Sequence, residues 1–507
     1  MKLAKYFLTA TVILTAWLAA PQARAGVAFT NLVFFTYTNA PNYGWNFEIY
    51  LGHASALAQG NDGNFYGTTF GGGNVPGYAG GGDGTVFKMT PGGAFTSLYS
   101  FGSVGDWNGN PGGDGRGPEG NLTKGADGNL YGTTVFGGNL SGVSEGTIFE
   151  ITTNGIFNSI YSFGHNMAGN PQFNFAYTNT DGGSPTAGVV QDSAGNFYGT
   201  TTSLGSGDQG TIYQLTSGGT LNTLFMFPYD TNAAFSVDGG HPSSELTEGP
   251  DGNFYGTTYW GGTNNNGTIF RITTNGTFTP LYSFSSIARA TSTPLLLGKD
   301  GNFYGTAQGG NSGNGSGIIF QFTTNGVFTV LHTFFFDGGT SGLIQGSDGN
   351  FYGTTSQGGP YDFPYGGGTI FQMTTNGTLT TLYSFSGPDG QEPDGGLVEG
   401  KDGNLYGTTS YGGPNWNSAS PVNSGYGTIF RITVPPAFQS ITRTNGIASL
   451  TWSAMSNQVC QVQYSTNLAS TNWINLGNPI TVTNSPIFVA DSAATNSQCF
   501  YRIMLTQ

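Results

Sequence analysis

One phrase recurs seven times along this chain, and it limits the possible folds more than any other feature. Its tyrosines are Tyr66, Tyr131, Tyr198, Tyr255, Tyr304, Tyr352 and Tyr406, and its fullest form is Asp348-Gly349-Asn350-Phe351-Tyr352-Gly353-Thr354-Thr355. The intervals are 65, 67, 57, 49, 48 and 54 residues. These fall near and above the roughly 40 to 50 residues of blade-type repeats, with the excess in loops. A unit this small cannot bury its own apolar face, so copies must stack on one another.

The sixth copy reads as four strands from its pattern and punctuation. Strand A covers residues 343–345, and a turn at residues 347–350 leads to strand B at residues 351–355. Strand C covers 369–374, and an Asn376-Gly377 hairpin turn leads to strand D at 379–385. Ile370 and Phe371 point to opposite sides of strand C, because side chains alternate along a strand. Both faces of the sheet are therefore buried, as in blades packed between two neighbours. Gly353 and its equivalents in strand B are read as sites of close approach between adjacent blades.

The ends of the array are out of phase in a complementary way. The last copy stops after its strand C at residues 428–433 and turns away at Pro435-Pro436, while an unattached strand D, residues 29–35, precedes the first copy. A ring closed by that opening strand removes exposed sheet edges, whereas an open solenoid has no use for the match. The expected fold is all-β: a seven-bladed β-propeller of four-stranded blades over residues 26–434, closed by an N-terminal strand, plus a small C-terminal β-sandwich over 435–507.

Residues 1–25 read as a signal peptide, with Lys2 and Lys5, an apolar core at 7–20, and Ala23-Arg24-Ala25 before the cleavage point. That core is short for a membrane span, and no later segment approaches about 20 apolar residues. The expectation is an exported, monomeric protein at the cell surface, in the periplasm or outside the cell. Its 27 acidic residues against 13 basic ones argue against nucleic acid as a partner. Only Cys460 and Cys499 carry thiols. Export makes a disulfide between them the expectation.

The seven-fold phrase resembles the Gloeobacter/Verrucomicrobia (GloVer) tandem-repeat family of exported bacterial proteins, over about residues 28–433. Its Asp-Gly-Asn turn followed by an aromatic and Gly-Thr is also similar to two-component-regulator propellers and, more loosely, to streptogramin-lyase propellers. The tail, with Tyr464-Ser465-Thr466-Asn467-Leu468 and Phe500-Tyr501-Arg502, resembles a small fibronectin-type-III-like module. The resemblance implies fold and compartment, and no activity comes with the family.

Function is expected on the face formed by the B-to-C and D-to-A connections, where all length variation falls. Trp45, Trp107, Trp260 and Trp416 lie in or beside these connections and are candidate stacking surfaces for a polysaccharide or cell-envelope component. The competing reading is that each caps its own loop. Asp-Gly-x-x-Pro precedes strand A at Asp114, Asp181, Asp238 and Asp389, with a shorter relative at Asp337. These aspartates are candidate Ca²⁺ ligands, or else Asx-turn formers. The reading is a non-enzymatic binding protein. The first alternative is a lyase or hydrolase with His241 as base and Glu245 as its acidic partner, and the second is a structural envelope or matrix component.

Overall fold

The computed structural model describes residues 27–506 except 36–54, 74–82, 103–112, 139–144, 165–167, 170–176, 179, 206, 230–235, 286–287, 291, 310–316, 335–338, 361–365, 418–424, 470 and 493–497. Among the described residues every regular element is a strand. No helix there is long and apolar enough to cross a membrane.

Each of the seven copies forms an antiparallel sheet in the order A-B-C-D. In the sixth copy these are Ile344–Gln345, Phe351–Thr355, Thr369–Met373 and Leu379–Ser384. The C-D pairing carries a bulge at one position: Ile370 faces Tyr383 and Phe371 faces Thr381, which leaves Leu382 between them. The seventh sheet takes its fourth strand from the other end of the described chain. Ala28–Phe34 pairs antiparallel with Thr428–Thr433, and the bulge recurs there with Val33 opposite Ile429 and Asn31 opposite Phe430. The opening segment thus reproduces strand D down to its irregularity.

Strand C is buried on both faces, with Val86, Phe87, Ile370 and Phe371 fully enclosed. Consecutive sheets share their cores. Tyr198 of the third sheet packs on Phe254 of the fourth at 4.2 Å, and Tyr406 of the seventh packs on Phe65 of the first at 4.1 Å. Leu57, Phe65, Phe87, Met89, Tyr406 and Ile429 form one cluster across that last junction, so the packing runs in a cycle. The architecture is propeller-like.

The strand-B glycine has a different cause from the one expected. A Cβ on Gly353 would stand 2.7 Å from Cζ of Phe371 and 3.0 Å from Leu343. Both neighbours belong to the same sheet, and Phe371 is the direct cross-strand partner of Gly353. The glycine leaves room for the aromatic ring of its own strand C to lie across the sheet, and close approach of a neighbouring sheet is not involved.

In the tail, Ala437–Thr444, Ile447–Ser453 and Ile487–Asp491 form one sheet, and Val459–Ser465 pairs with Ile474–Asn475, Ile480–Thr481 and Phe500–Leu505 in another. Leu450, Trp452, Cys460, Val462 and Val482 fill a common core. The expected disulfide is absent, and both thiols are free. The register explains why. Cys460 pairs with Leu505 and Ser465 with Phe500, so Cys499 lies beyond the opposite end of the ladder. Five residues of strand separate those ends by roughly 17 Å, against about 4.4 to 6.8 Å between the Cα atoms of a disulfide.

This tail is fixed to the ring. Met455 enters the core between the sixth and seventh sheets. The Gln458 amide donates to the carbonyls of Gly403 and Val434, Asn457 donates to the carbonyl of Lys401, and the Ser456 N–H donates to Ser347 Oγ.

Candidate functional site

The approaches to strand A surround an axial cavity of about 700 Å³. Its wall draws on all seven copies, including Ser55, Asn121, Thr186, Ser243, Thr293 and Asp394. Residues just after strand B, such as Phe70, Thr202 and Ser410, also line it, so the cavity opens at the end where the B-to-C and D-to-A connections lie. The wall is mixed: hydroxyls, one amide, carboxyls and backbone alternate with apolar surface from Phe70, Pro294, Leu343, Ile344 and Leu397.

Three acids face this space: Glu119, Glu245 and Asp394. Burial pushes the Glu245 carboxyl up to about 7, against hydrogen bonds from Asn121 and Thr123 that pull it down. Asn121 Nδ2 lies 3.5 Å from Glu245 Oε2, while Asn121 Oδ1 accepts from the Ala56 N–H at 3.2 Å. One side chain therefore ties the first, second and fourth sheets together at the axis. Burial raises Asp394 to about 6, opposed by the Ser410 hydroxyl, which donates to Asp394 Oδ2 at 3.2 Å. Beside it Glu392 is pushed up to about 7 by burial and by the charge of Asp394. Glu119 is raised by burial alone. Glu119 and Asp394 keep side-chain surface open to the cavity. The walls displace enough of the surrounding water to disfavour charge even so. Raised acids in one concavity mark a candidate site.

The residues singled out from sequence are placed elsewhere. Glu245 lines the cavity and His241 does not. The His241 N–H donates to the carbonyl of Gln209, and its own carbonyl accepts from the N–H of Tyr259, which holds it in the loop layer at φ +51°. The pair read from sequence is therefore not assembled at the cavity.

The aspartates before strand A fasten neighbouring sheets. Asp181 is buried and accepts from Tyr161 Oη at 2.8 Å and from the Gly164 N–H at 3.2 Å, both belonging to the preceding copy. The next residue, Gly182, has φ +84°, and a Cβ there would stand 2.0 Å from Thr201 Oγ1 of the following sheet. Asp114 likewise accepts from Tyr99, and Asp389 from Tyr383 and Ser386. Asp238 differs, its backbone carbonyl accepting from Thr268 Oγ1 of its own copy. Among the described residues no three Asp, Glu, His or Cys side chains come together as a metal site. The Ca²⁺ expectation thus finds no cluster, and the carboxylates of Asp114, Asp181 and Asp389 are used locally. Asp337 lies outside the described residues.

Trp45 and Trp107 also lie outside the described residues. Trp416 is half-buried over Gly387, where a Cβ would meet its indole at 2.3 Å, so it caps the loops beside it. Trp260 is half-buried, stands edge-on to Tyr259 at 5.2 Å, and has the Arg289 guanidinium 3.8 Å from its ring centre. Neither tryptophan lines the cavity. Sequence reasoning missed Glu119 and Asp394, each of which directly follows a proline of the Asp-Gly-x-x-Pro phrase, as Ser243 also does. Counting onward from the proline, and not only back to the aspartate, would have found them.

Three solved structures illustrate what the fold is similar to. A streptogramin B lyase aligns with TM-score 0.47 at 15% identity, over 81% of this chain and 98% of its own. A protein from Lactobacillus plantarum aligns with TM-score 0.42 at 12% identity, over 83% and 98%. A puromycin hydrolase mutant aligns with TM-score 0.42 at 14% identity, over 80% and 60%. No curated protein matches the sequence. The sequence profile of the Gloeobacter/Verrucomicrobia repeat matches residues 168–342 and 336–457. With more than half its length covered by those repeats, the chain belongs to the Gloeobacter/Verrucomicrobia repeat family.

Proposed function

We propose that this protein is an exported binding protein that holds a hydroxyl-rich ligand, a saccharide, in the axial cavity of a seven-bladed propeller. The observation that carries the reading is the cavity wall itself: about 700 Å³ lined by serine and threonine hydroxyls, Asn121 and three acids. A sugar presents alternating donors and acceptors, and such groups satisfy both. A carboxyl near its pKa serves as acceptor or donor as required. The volume lies within the range of small-molecule sites. Seven sheets packed in a cycle, six of four strands and one of five, support the blade count, and the two tail sheets around Trp452 support a β-sandwich of fibronectin-type-III-like form over residues 435–507. The features of residues 1–25 support export.

Calorimetric titration with neutral mono- and oligosaccharides tests the assignment. Losing a hydrogen bond to a charged group costs about 1.5–3 kcal/mol. Glu245→Ala should therefore weaken binding at least about tenfold, and Glu245→Ala with Asp394→Ala should abolish it. Binding untouched by the double substitution, or no saccharide bound at all, overturns the assignment.

A second reading is favoured by one observation, the Glu245 carboxyl at about 7, a value suited to general acid–base work. It makes the cavity a lyase or hydrolase site with Glu245 in place of His241. Turnover that is lost in Glu245→Gln while binding persists would select it. Bound saccharide recovered intact after long incubation would remove it.

A further inference from the structure

We propose that Arg289 is a carboxylate-recognition site at the rim of the axial cavity, giving the protein a preference for acidic over neutral saccharides. This rests on the saccharide reading of the cavity and names the class of sugar.

The backbone at Arg289 is fixed by an additional strand. Ala288–Ala290 pairs with the extended strand B of the fifth sheet, Phe303–Gly309, and Arg289 stands opposite Gln308. No other repeat sheet carries such a strand among the described residues. Its guanidinium carbon lies 4.0 Å from the ring centre of Tyr259 and 3.8 Å from that of Trp260. The two rings are perpendicular, at 89°, so the guanidinium sits in a corner. Nε and Nη2 are buried there without a hydrogen-bond acceptor.

A buried cation ordinarily has an anion beside it. This chain has twice as many acidic as basic residues, yet none forms an ion pair with Arg289 among the described residues. The aromatic faces hold the cation in place of a carboxylate. The guanidinium is thereby oriented with Nη1 as its accessible nitrogen, and a charge-assisted N–H···O bond from Nη1 suits a carboxylate oxygen. Position supplies the second half of the argument. Ser292, Thr293 and Pro294 line the cavity, and three residues of chain from Arg289 span at most about 10 Å. A sugar seated among those hydroxyls brings a carboxylate substituent to the rim where Arg289 stands.

The test compares glucuronate with glucose by calorimetric titration at low salt and pH 6, where Glu245 is mainly protonated and repels the ligand least. Wild type should bind glucuronate at least about tenfold more tightly than glucose, with the margin shrinking as salt is added. Arg289→Ala should level the two affinities and leave glucose binding as it was. Arg289→Lys keeps the charge but loses the flat guanidinium that stacks on Tyr259 and Trp260, and should retain only part of the margin. Equal affinities in wild type, or a margin that survives Arg289→Ala, overturn the proposal while the cavity assignment stands. An Arg289-dependent margin, with both affinities left unchanged by Glu245→Ala together with Asp394→Ala, sinks the cavity assignment and keeps the carboxylate site. No binding of either sugar overturns both.

Discussion

Replacing Phe29 by alanine tests whether the opening strand closes the ring. The Phe29 ring lies 3.9 Å from Tyr383 at an interplanar angle of 4°, and it meets Phe385 and Phe430 at 5.6 Å each. The same arrangement joins neighbouring copies inside the chain: Phe157 on Tyr99 at 4.1 Å, Phe278 on Phe225 at 4.0 Å and Phe328 on Tyr282 at 4.3 Å. A fully buried Phe→Ala costs about 3–5 kcal/mol. Phe29 is half-buried, which leaves about 2 kcal/mol from burial, and its aromatic partners add about 0.5–1.5 kcal/mol. The expected loss is about 2.5–3.5 kcal/mol. Equilibrium unfolding in urea reads it as a lower midpoint at unchanged slope, and Phe157→Ala serves as the internal standard because it removes the same stack between the first and second copies. The two variants should fall together. If Phe157→Ala loses 2 kcal/mol or more and Phe29→Ala stays within about 0.5 kcal/mol of wild type, the opening strand does not close the ring.

Gly353→Ala forces a methyl to within 2.7 Å of Phe371 and should cost about 1–3 kcal/mol by overpacking; an unchanged urea midpoint refutes that account of the glycine. Glu245 is raised from 4.5 in the unfolded chain to about 7, so the folded state binds more protons across that window. Stability should therefore be fully present below pH 4.5 as far as this group is concerned and fall as pH rises towards 7; Glu245→Gln should flatten that slope, and an identical pH profile refutes the shift. Burial pushes the Cys460 thiol up to about 12. A thiol reagent should label Cys499 in the native protein and reach Cys460 only on unfolding, with the thermal midpoint indifferent to reductant; a midpoint lowered by reductant restores the disulfide.

The ring was legible in sequence because its determinants are local and repeated. Strand B at residues 351–355 and strand C at 428–433 coincide with Phe351–Thr355 and Thr428–Thr433, and the opening strand at 29–35 differs by one residue at each end from Ala28–Phe34. An alternating apolar pattern between turn residues marks such strands wherever they occur. The tail was harder to read. Ala437–Thr444 is an exposed edge strand with mostly polar side chains, and the opposite edge of that sheet, Ile487–Asp491, alternates over only five residues. The disulfide failed because pairing two cysteines requires the strand register, which hydrophobic pattern alone does not supply. The candidate site was half visible. Glu245 was chosen for its neighbour His241, whereas its position depends on seven chain segments meeting at an axis. Asp181 attracted attention as a ligand, and the two partners that occupy its turn are far from it in sequence, Tyr161 in the preceding copy and Thr211 in strand C of its own.

The seating of the tail on Ser347, Lys401 and Gly403 has a directional consequence. Those residues belong to A-to-B hairpins, at the opposite end of the strands from the segments that line the cavity. The last seventy or so residues act as a stem joined off-centre to the underside of a bowl. A surface that grips the stem leaves the mouth of the bowl unobstructed and turned away from it. The hydrogen bonds at the joint restrain swivelling, so the bowl would keep its aim.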